Sequence, residues 1–448
     1  MFGGLPEARN LVDACDHWLA ENRSAVRDAV AAFTEHCSAQ DISVISGLGW
    51  PLRPLFLDRQ RMNDFAVSFS RTIREFAARL GASRKIATAE GALPSSWLEL
   101  IDIEDTFSAP HLTYLAKPDG FLREDTFEIS ELNTGNGTLL SATYTETLFD
   151  FYDRWLRWPQ HLEHLRPHVG SKDRPFLALA QTFKKLGRRP NPHVALLTPT
   201  SDLRGAELWG QRVHQQFGWA PRLLAEQGIT TESVNEEDLF VDRDGACICP
   251  SGKQAHVVFG VTSCIGLLES GSRLHSDLKQ FRGGWFGNAP FLAPAGALIL
   301  EKGCLPALGR FLEPRREKGW RIVPSEFAHT DAAVKYRWNK DSFVLKRAYE
   351  DKHTIVGKGV HGRAWNRLVD AALDTRRYII QQFRELPKTT LPVLIQGEIE
   401  WLEVVVEVSP FIYGHDLAGV MARYAPPRDG VILSPPPEDM GFGVAYLV

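Results

Sequence analysis

No charge of one sign dominates this sequence. Its 448 residues carry 51 lysines and arginines against 55 aspartates and glutamates, a net of −4. Such near-balance removes any global drive toward nucleic acid or an anionic membrane surface. The C-x2-C pairs that mark zinc ribbons and redox motifs are absent too. The six cysteines, Cys15, Cys37, Cys247, Cys249, Cys264 and Cys304, are scattered, and Cys247-x-Cys249 is too tight for a usual zinc pair. They read as buried, reduced thiols of a cytoplasmic protein. Met1 to Glu7 offer neither a basic region nor an apolar core, so no secretory signal is expected. One uncharged stretch, Gly283 to Leu300, is long enough to suggest a membrane span, but it holds Pro290, Pro294, Asn288 and four glycines. It reads as a loop entering a short helix. Most catalytic signatures are missing: no G-x-S-x-G elbow, no G-x4-G-K-S/T phosphate loop, no H-E-x-x-H. A literal G-x-G-x-x-G at Gly357, Gly359 and Gly362 lacks the βαβ unit and downstream acid that would make it a dinucleotide site.

What is present is ordinary globular material, 44% hydrophobic and 24% charged, in a chain long enough for two or three structural units. The start is helical by period. Leu11, Cys15, Trp18 and Leu19 mark one face, and Val30, Phe33 and Cys37 continue it. Phe65, Phe69, Ile73, Phe76 and Leu80 stripe a later helix. A β region follows: Leu112 to Leu115, a turn at Pro118-Asp119-Gly120, and a second strand from Thr126 to Asn133. A helix is expected over Thr145 to Trp158. Residues 166–192, basic and proline-containing, read as an exposed connection. From His193, strand, helix and strand in that order suggest a small parallel α/β layer.

Candidate chemistry gathers in two places. In Phe127-Glu128-Ile129-Ser130-Glu131-Leu132-Asn133, alternation puts Phe127, Ile129, Glu131 and Asn133 on one face. An apolar face ending in Glu and Asn aims oxygen ligands of the kind Mg²⁺ takes, and Asp119, twelve residues before Glu131, adds a carboxylate. The same residues also fit a turn-capping Asn with Glu131 in a surface ion pair. The glycine-rich Thr134 to Thr138 follows, a loop able to approach phosphate. Far along the chain, Lys346 sits inside the strand Ser342 to Lys346, either facing solvent or held against phosphate oxygens. Tyr378 to Phe383 form a short strand carrying Gln381 and Gln382. Leu402, Val404, Val406 and Val408 alternate with Glu403 and Glu407 as a half-buried strand, followed by Ala418 to Arg423. Trp50, Trp97, Arg53 and Arg71 are weaker substrate candidates, better read as helix core and surface.

Taken together, these motifs resemble the circularly permuted ATP-grasp superfamily, in particular glutathionylspermidine synthetase-like carboxylate-amine ligases. Asp119, Glu131 and Asn133 match that family's acid and Glu-x-Asn in type and spacing. Glu301-Lys302-Gly303-Cys304-Leu305 resembles its lysine before a helix, and Val344-Leu345-Lys346-Arg347 its strand lysine. Tyr378 to Phe383 resemble its nucleotide hinge, and Ala418 to Arg423 its late A-G-x-x-x-R.

The resemblance implies an α/β (α+β) chain: a permuted ATP-grasp fold with a small pre-ATP-grasp α/β layer and an N-terminal helical segment. Residues 1–100 would be that helical segment, 101–165 the metal-binding part, 190–275 the pre-ATP-grasp-like unit, and 295–448 the nucleotide-binding lobe with C-terminal strands. It further implies ATP and Mg²⁺ as cofactors and small-molecule carboxylate and amine substrates, with no nucleic acid and no membrane. Asp119, Glu131 and Asn133 would bind the metal. Lys302, Lys346, Gln381, Gln382 and Lys117 would bind nucleotide, and Arg423 and Lys346 would serve the chemistry through an acyl-phosphate. Two departures stand out. The loop Arg347 to Thr354 lacks the glycines such lids carry, and Lys117 replaces an arginine, a point charge in place of a bidentate fork. A protein that keeps this fold but binds nucleotide only as a sensor or scaffold is the alternative.

Overall fold

The computed structural model describes residues 6–40, 42, 47–89, 114–123, 125–133, 138–156, 173–197, 219–234, 238–260, 285–292, 302–315, 319–348, 354–373, 375, 377–428, 430, 431, 433 and 439–448. The glycine-rich loop at 134–137, the expected helix through Leu208 and Phe217, Trp97, Cys264 and most of the loop after Lys346 lie outside them.

A ten-stranded, mostly antiparallel sheet forms the body. Its main path runs Trp320–Ile322, Thr126–Glu131, Asp119–Arg123, Glu398–Tyr413, Asp416–Ala425, Gly441–Leu447, Leu55–Leu57. The backbone of this sheet is Glu398–Tyr413, sixteen residues long. Its register shifts between Pro410 and Ile412, where proline cannot donate a ladder bond and a bulge absorbs it. The helix Arg59–Gly81 packs on the sheet. Asp58 caps it by accepting the Arg61 N–H at 3.0 Å, and Phe65, Phe69, Ile73, Phe76 and Leu80 are all buried. The apolar stripes of Pro6–Glu21 and Arg23–Ala39 form their own core with Phe56, Phe151 and Tyr446.

Beside this body lies a five-stranded layer in the order Trp285–Phe286, Ala289–Leu292, Val257–Gly260, His193–Leu197, Thr230–Val234. The last four of these pair in parallel. A four-stranded antiparallel sheet, Ser325–Phe327, Tyr378–Gln382, Phe343–Arg347, Thr354–Val356, is backed by Gly362–Ala372 through Trp365, Val369 and Ala372. The chain is thus a mixed α/β protein with a small parallel layer.

Several local expectations are corrected. The turn expected at Pro118-Asp119-Gly120 is not one: Asp119 opens the strand Asp119–Arg123 and pairs across the hairpin with Glu131. Gly120 serves close packing, since a Cβ there would meet the Glu128 carbonyl oxygen at 2.2 Å. The expected exposed connection contains the helix Pro175–Gly187, with Phe176, Leu179, Ala180 and Phe183 buried. Its apolar stripe is disguised by Lys184 and Lys185 in the last turn, where cations suit the helix dipole. The helix expected from Thr145 begins at Thr138 and passes into a π-helical turn over Phe151–Trp155. Trp285–Phe286 and Ala289–Leu292 are strands joined by a turn at Gly287-Asn288, where a loop was expected. Among the described residues, no helix is long and apolar enough to cross a membrane. In the G-x-G-x-x-G stretch, Gly357 is needed because a Cβ would meet the Lys340 carbonyl oxygen at 1.9 Å.

Candidate active site

The hairpin Asp119–Arg123/Thr126–Glu131 sets the first two carboxylates. Phe127 and Ile129 are buried in the main core, and the same alternation carries Glu131 inward at the strand end. Antiparallel register then places Asp119 opposite Glu131. The Lys117 N–H donates to the Asn133 carbonyl at 2.8 Å, continuing the pairing one step past the strand and holding Asn133 beside the acids. The Asn133 amide nitrogen donates to Asp119 Oδ2 at 2.8 Å, which leaves its oxygen as the ligand-type atom.

The central strands add two more charges. Glu407 and Arg423 are register partners, and Val408 lies opposite Gly120, so the pair lands next to Asp119. Arg423 Nη2 reaches Asp119 Oδ2 at 2.6 Å and Glu407 Oε2 at 3.3 Å, while Lys117 Nζ donates to Asp119 Oδ1 at 2.7 Å. Ser130 Oγ donates to Glu407 Oε1 at 3.1 Å.

The four-stranded sheet closes the other side. Lys346 Nζ and Gln381 Nε2 both donate to the Ser130 carbonyl, at 2.9 and 3.1 Å, and Gln381 also donates to Ser325 Oγ at 3.0 Å. Lys302, ahead of the helix Leu305–Leu312, lies 3.3 Å from Glu131 Oε1. The Gly303 N–H bonds the Ala348 carbonyl at 2.7 Å, tying the turn that carries Lys302 to the end of the Lys346 strand.

Seven ionisable side chains therefore meet in one buried cluster: Lys117, Lys302, Lys346 and Arg423 against Asp119, Glu131 and Glu407. Four cations to three carboxylates leave the cluster positive. Burial works to raise the Asp119 carboxyl, but Arg423 and Lys117 overcome it and hold it far below the usual range. Burial likewise opposes ionisation of Glu131, and Lys302 and Lys346 outweigh it. Glu407 is pushed up by burial, which Arg423 only partly offsets. Lys346 is pulled down by burial despite Glu131, and Arg423 is driven up, its burial overcome by Asp119 and Glu407.

Three members of the cluster, Glu131, Lys346 and Glu407, reach an open cleft of about 460 Å³. Glu131, Lys346, Glu407 and Gln381 line its polar part, and Val323, Val344, Phe383, Leu386 and Leu433 its apolar part. Among the described residues, Glu131 Oε2 is buried without a hydrogen-bond partner. An ionised carboxylate oxygen left so is costly unless a cation meets it, so the residues present fit a divalent ion. Lys346 and Arg384 on the cleft wall fit phosphates, and the apolar wall fits the ring of a nucleotide.

Every residue expected for the site falls in or beside this cluster except Gln382, whose exposed side chain lines the cleft while its N–H is spent on the Pro324 carbonyl at 2.8 Å. The expected half-exposed Glu407 is instead buried. It is the residue that sequence reasoning missed. Its face reads Glu403, Val405, Glu407, Ser409, and Val405 was the sign that this face too enters the interior. Arg53 is buried against Asp16 at 2.7 Å and the Thr390 carbonyl at 2.8 Å, and Trp50 packs on Phe33 and Phe151. Arg71 is exposed on its helix.

The chain is a mixed α/β protein whose buried charged cluster borders an open cleft. Among solved structures, the chain is similar to a glutathione synthetase-like effector of Globodera pallida in its apo form. The TM-score is 0.53 at 11% identity, over 96% of this chain and 97% of that one. It is more distantly similar to a candidate gamma-glutamylcysteine synthetase of Methylobacillus flagellatus KT (TM-score 0.39, 10% identity, 81% and 85% covered). A D-alanyl-alanine synthetase A of Vibrio cholerae O1 biovar eltor scores 0.29 at 9% identity, over 57% of this chain and 88% of that one. No protein-family model matches the chain, and no curated protein matches its sequence.

Proposed function

We propose that this chain is an ATP- and Mg²⁺-dependent carboxylate-amine ligase acting on small molecules, with its ATP-grasp parts in circularly permuted order. The hairpin bearing Asp119, Glu131 and Asn133 precedes Lys302 and Lys346 in sequence, the reverse of the unpermuted arrangement. When bound, MgATP supplies a phosphoryl group that activates a carboxylate as an acyl-phosphate for attack by an amine. Asp119, Glu131 and the Asn133 amide oxygen are the residues to hold the metal. Lys302 and Lys346 neutralise phosphate charge, with Lys117 behind Asp119. Gln381 and Gln382 belong to the cleft wall that receives the base. Arg423, locked between Asp119 and Glu407, supplies fixed positive charge beside the metal ligands, where a preorganised cation stabilises charge developing in phosphoryl transfer.

The observation that carries this reading is Glu131 Oε2, buried without a hydrogen-bond partner among the described residues, where the charged cluster meets the cleft. Thermal unfolding with ATP, with and without Mg²⁺, tests it. A ligand at ~100 times its Kd adds about 2.7 kcal/mol. The wild type should gain stability with ATP and more with Mg²⁺. Glu131→Gln should lose the Mg²⁺ increment, and Lys346→Met should lose roughly tenfold or more in ATP affinity. Absence of any nucleotide effect on folded, nucleotide-free protein would refute the reading. Binding without ADP release across a panel of acids and amines would reduce it to a nucleotide-binding scaffold.

A further inference from the structure

The parallel layer, away from the cleft, carries a second cluster. His193 opens the strand His193–Leu197, and Glu232 lies on its neighbour Thr230–Val234, on the same face as Thr230. Cys249 comes from the tight turn after Cys247–Ile248, fixed by its own N–H to the Lys253 carbonyl (2.9 Å) and by the Gly252 N–H to its carbonyl (2.8 Å). Gly252 takes φ +81°, which lets that turn close. One imidazole nitrogen, one carboxylate oxygen and the Cys249 sulfur lie within 4.8 Å of one another.

Each group is oriented as a metal ligand would be. His193 Nδ1 is engaged by Thr230 Oγ1 at 2.8 Å, which turns Nε2 toward the other two. Among the described residues Nε2 is buried with no geometric hydrogen bond, and Glu232 Oε2 stands 3.4 Å away. His193 itself is 5% exposed and Cys249 1%. The Glu232 carboxylate is clamped by Ser251, whose N–H donates to Oε1 at 3.0 Å and whose hydroxyl donates to Oε2. Outer partners of this kind, on the far ring nitrogen and on the carboxylate, fix tautomer and aim at metal centres.

We propose that His193 Nε2, Glu232 and Cys249 form a three-ligand site for a borderline-soft divalent transition-metal ion, Zn²⁺ before others, with a fourth position open to water. Zn–N and Zn–S bonds of about 2.0 and 2.3 Å put tetrahedral ligands roughly 3.5 Å apart, so a contraction of about an ångström closes the triangle. Mixed nitrogen, sulfur and oxygen donors select such an ion over the hard Mg²⁺ of the cleft. The site joins two neighbouring strands of the layer to the 249–253 turn.

Cobalt titration of the full chain, stripped with chelator and shown to be folded by circular dichroism, is the test. Stoichiometric Co²⁺ should produce the near-ultraviolet thiolate-to-cobalt band, and one equivalent of Zn²⁺ should erase it. Cys249→Ser should abolish the band, and Glu232→Gln should weaken Co²⁺ binding while leaving the protein folded. Thr230→Val should weaken binding roughly 10–100-fold through the imidazole it orients, whereas Glu131→Gln in the cleft should leave the band unchanged. A folded wild type that binds neither ion, or a band that survives Cys249→Ser, overturns the proposal.

Discussion

Glu131 and Glu146 are two glutamates buried to nearly the same degree, 5% and 8% exposed, yet the fold moves their acidity in opposite directions. In the cleft, Lys302 and Lys346 face Glu131 and overcome its burial. On the helix Thr138–Asp150, burial dominates at Glu146. Its single cation, Arg174 at 2.8 Å, is shared with Asp150 at 2.5 Å and Asp153 at 3.8 Å, and the carboxyl rises to about 7. Burial alone does not decide the protonation of a carboxylate; the cations facing that particular carboxylate do, and Glu407, which shares Arg423 with Asp119 in the same cleft cluster, is pushed up like Glu146. The cleft has four cations to three acids. At the second cluster Arg174 is shared among three acids, while the exposed Arg154 reaches only Asp150 of the three, at 3.6 Å.

The largest effect should come from breaking the cleft's balance at its hub. Asp119→Asn leaves Lys117 and Arg423 short of a counterion in a buried setting. Chemical denaturation should show a loss of about 3–5 kcal/mol, together with disappearance of any Mg²⁺-dependent nucleotide stabilisation. Unchanged stability would mean that water, not Asp119, carries those charges.

Arg174→Met should cost about 3 kcal/mol, because Glu146, Asp150 and Asp153 lose their common partner. Nucleotide affinity, measured on the folded variant, should stay as in the wild type. A parallel loss of affinity would show that the two regions are coupled.

Glu146→Gln is the mildest test and gives the sign of the difference. A carboxyl whose folded pKa is raised contributes stability that is complete below its unfolded value near 4.3 and is lost as pH rises through about 7. Wild-type stability should therefore fall relative to Glu146→Gln between pH 5 and 8, by no more than ~1.4 kcal/mol per pH unit. Asp119, held low, has the opposite sign: its contribution is present above pH ~4 and is lost only in strong acid. Parallel wild-type and Glu146→Gln curves across neutral pH would show that Arg174 suffices for all three acids.

Much of the site was legible because its residues sit at strand ends and alternate with apolar neighbours. Phe127 and Ile129 announced the inward face that carries Glu131, and the β-forming residues around Lys346 and Gln381 marked the facing sheet. What could not be read locally was pairing. The Asp119–Glu131 register, with its irregularity between Asp119 and Gly120, was mistaken for a turn because Pro-Asp-Gly is turn chemistry. The helix Pro175–Gly187 was hidden by charge at its end, and Glu407 passed for a surface glutamate because its role depends on Arg423, sixteen residues away in the adjacent strand. The cluster of His193, Glu232 and Cys249 spans fifty-six residues and has no compact motif at all.

The sequence by itself determined the periods: which segments become helices, which faces are apolar, and which strands end in oxygen- or nitrogen-bearing side chains, since these follow from local geometry and burial of apolar area. Only the tertiary structure decided which charges meet. Whether a buried acid is ionised depends on how many cations other strands bring within a few ångströms, and that is a property of register and sheet order rather than of any single segment.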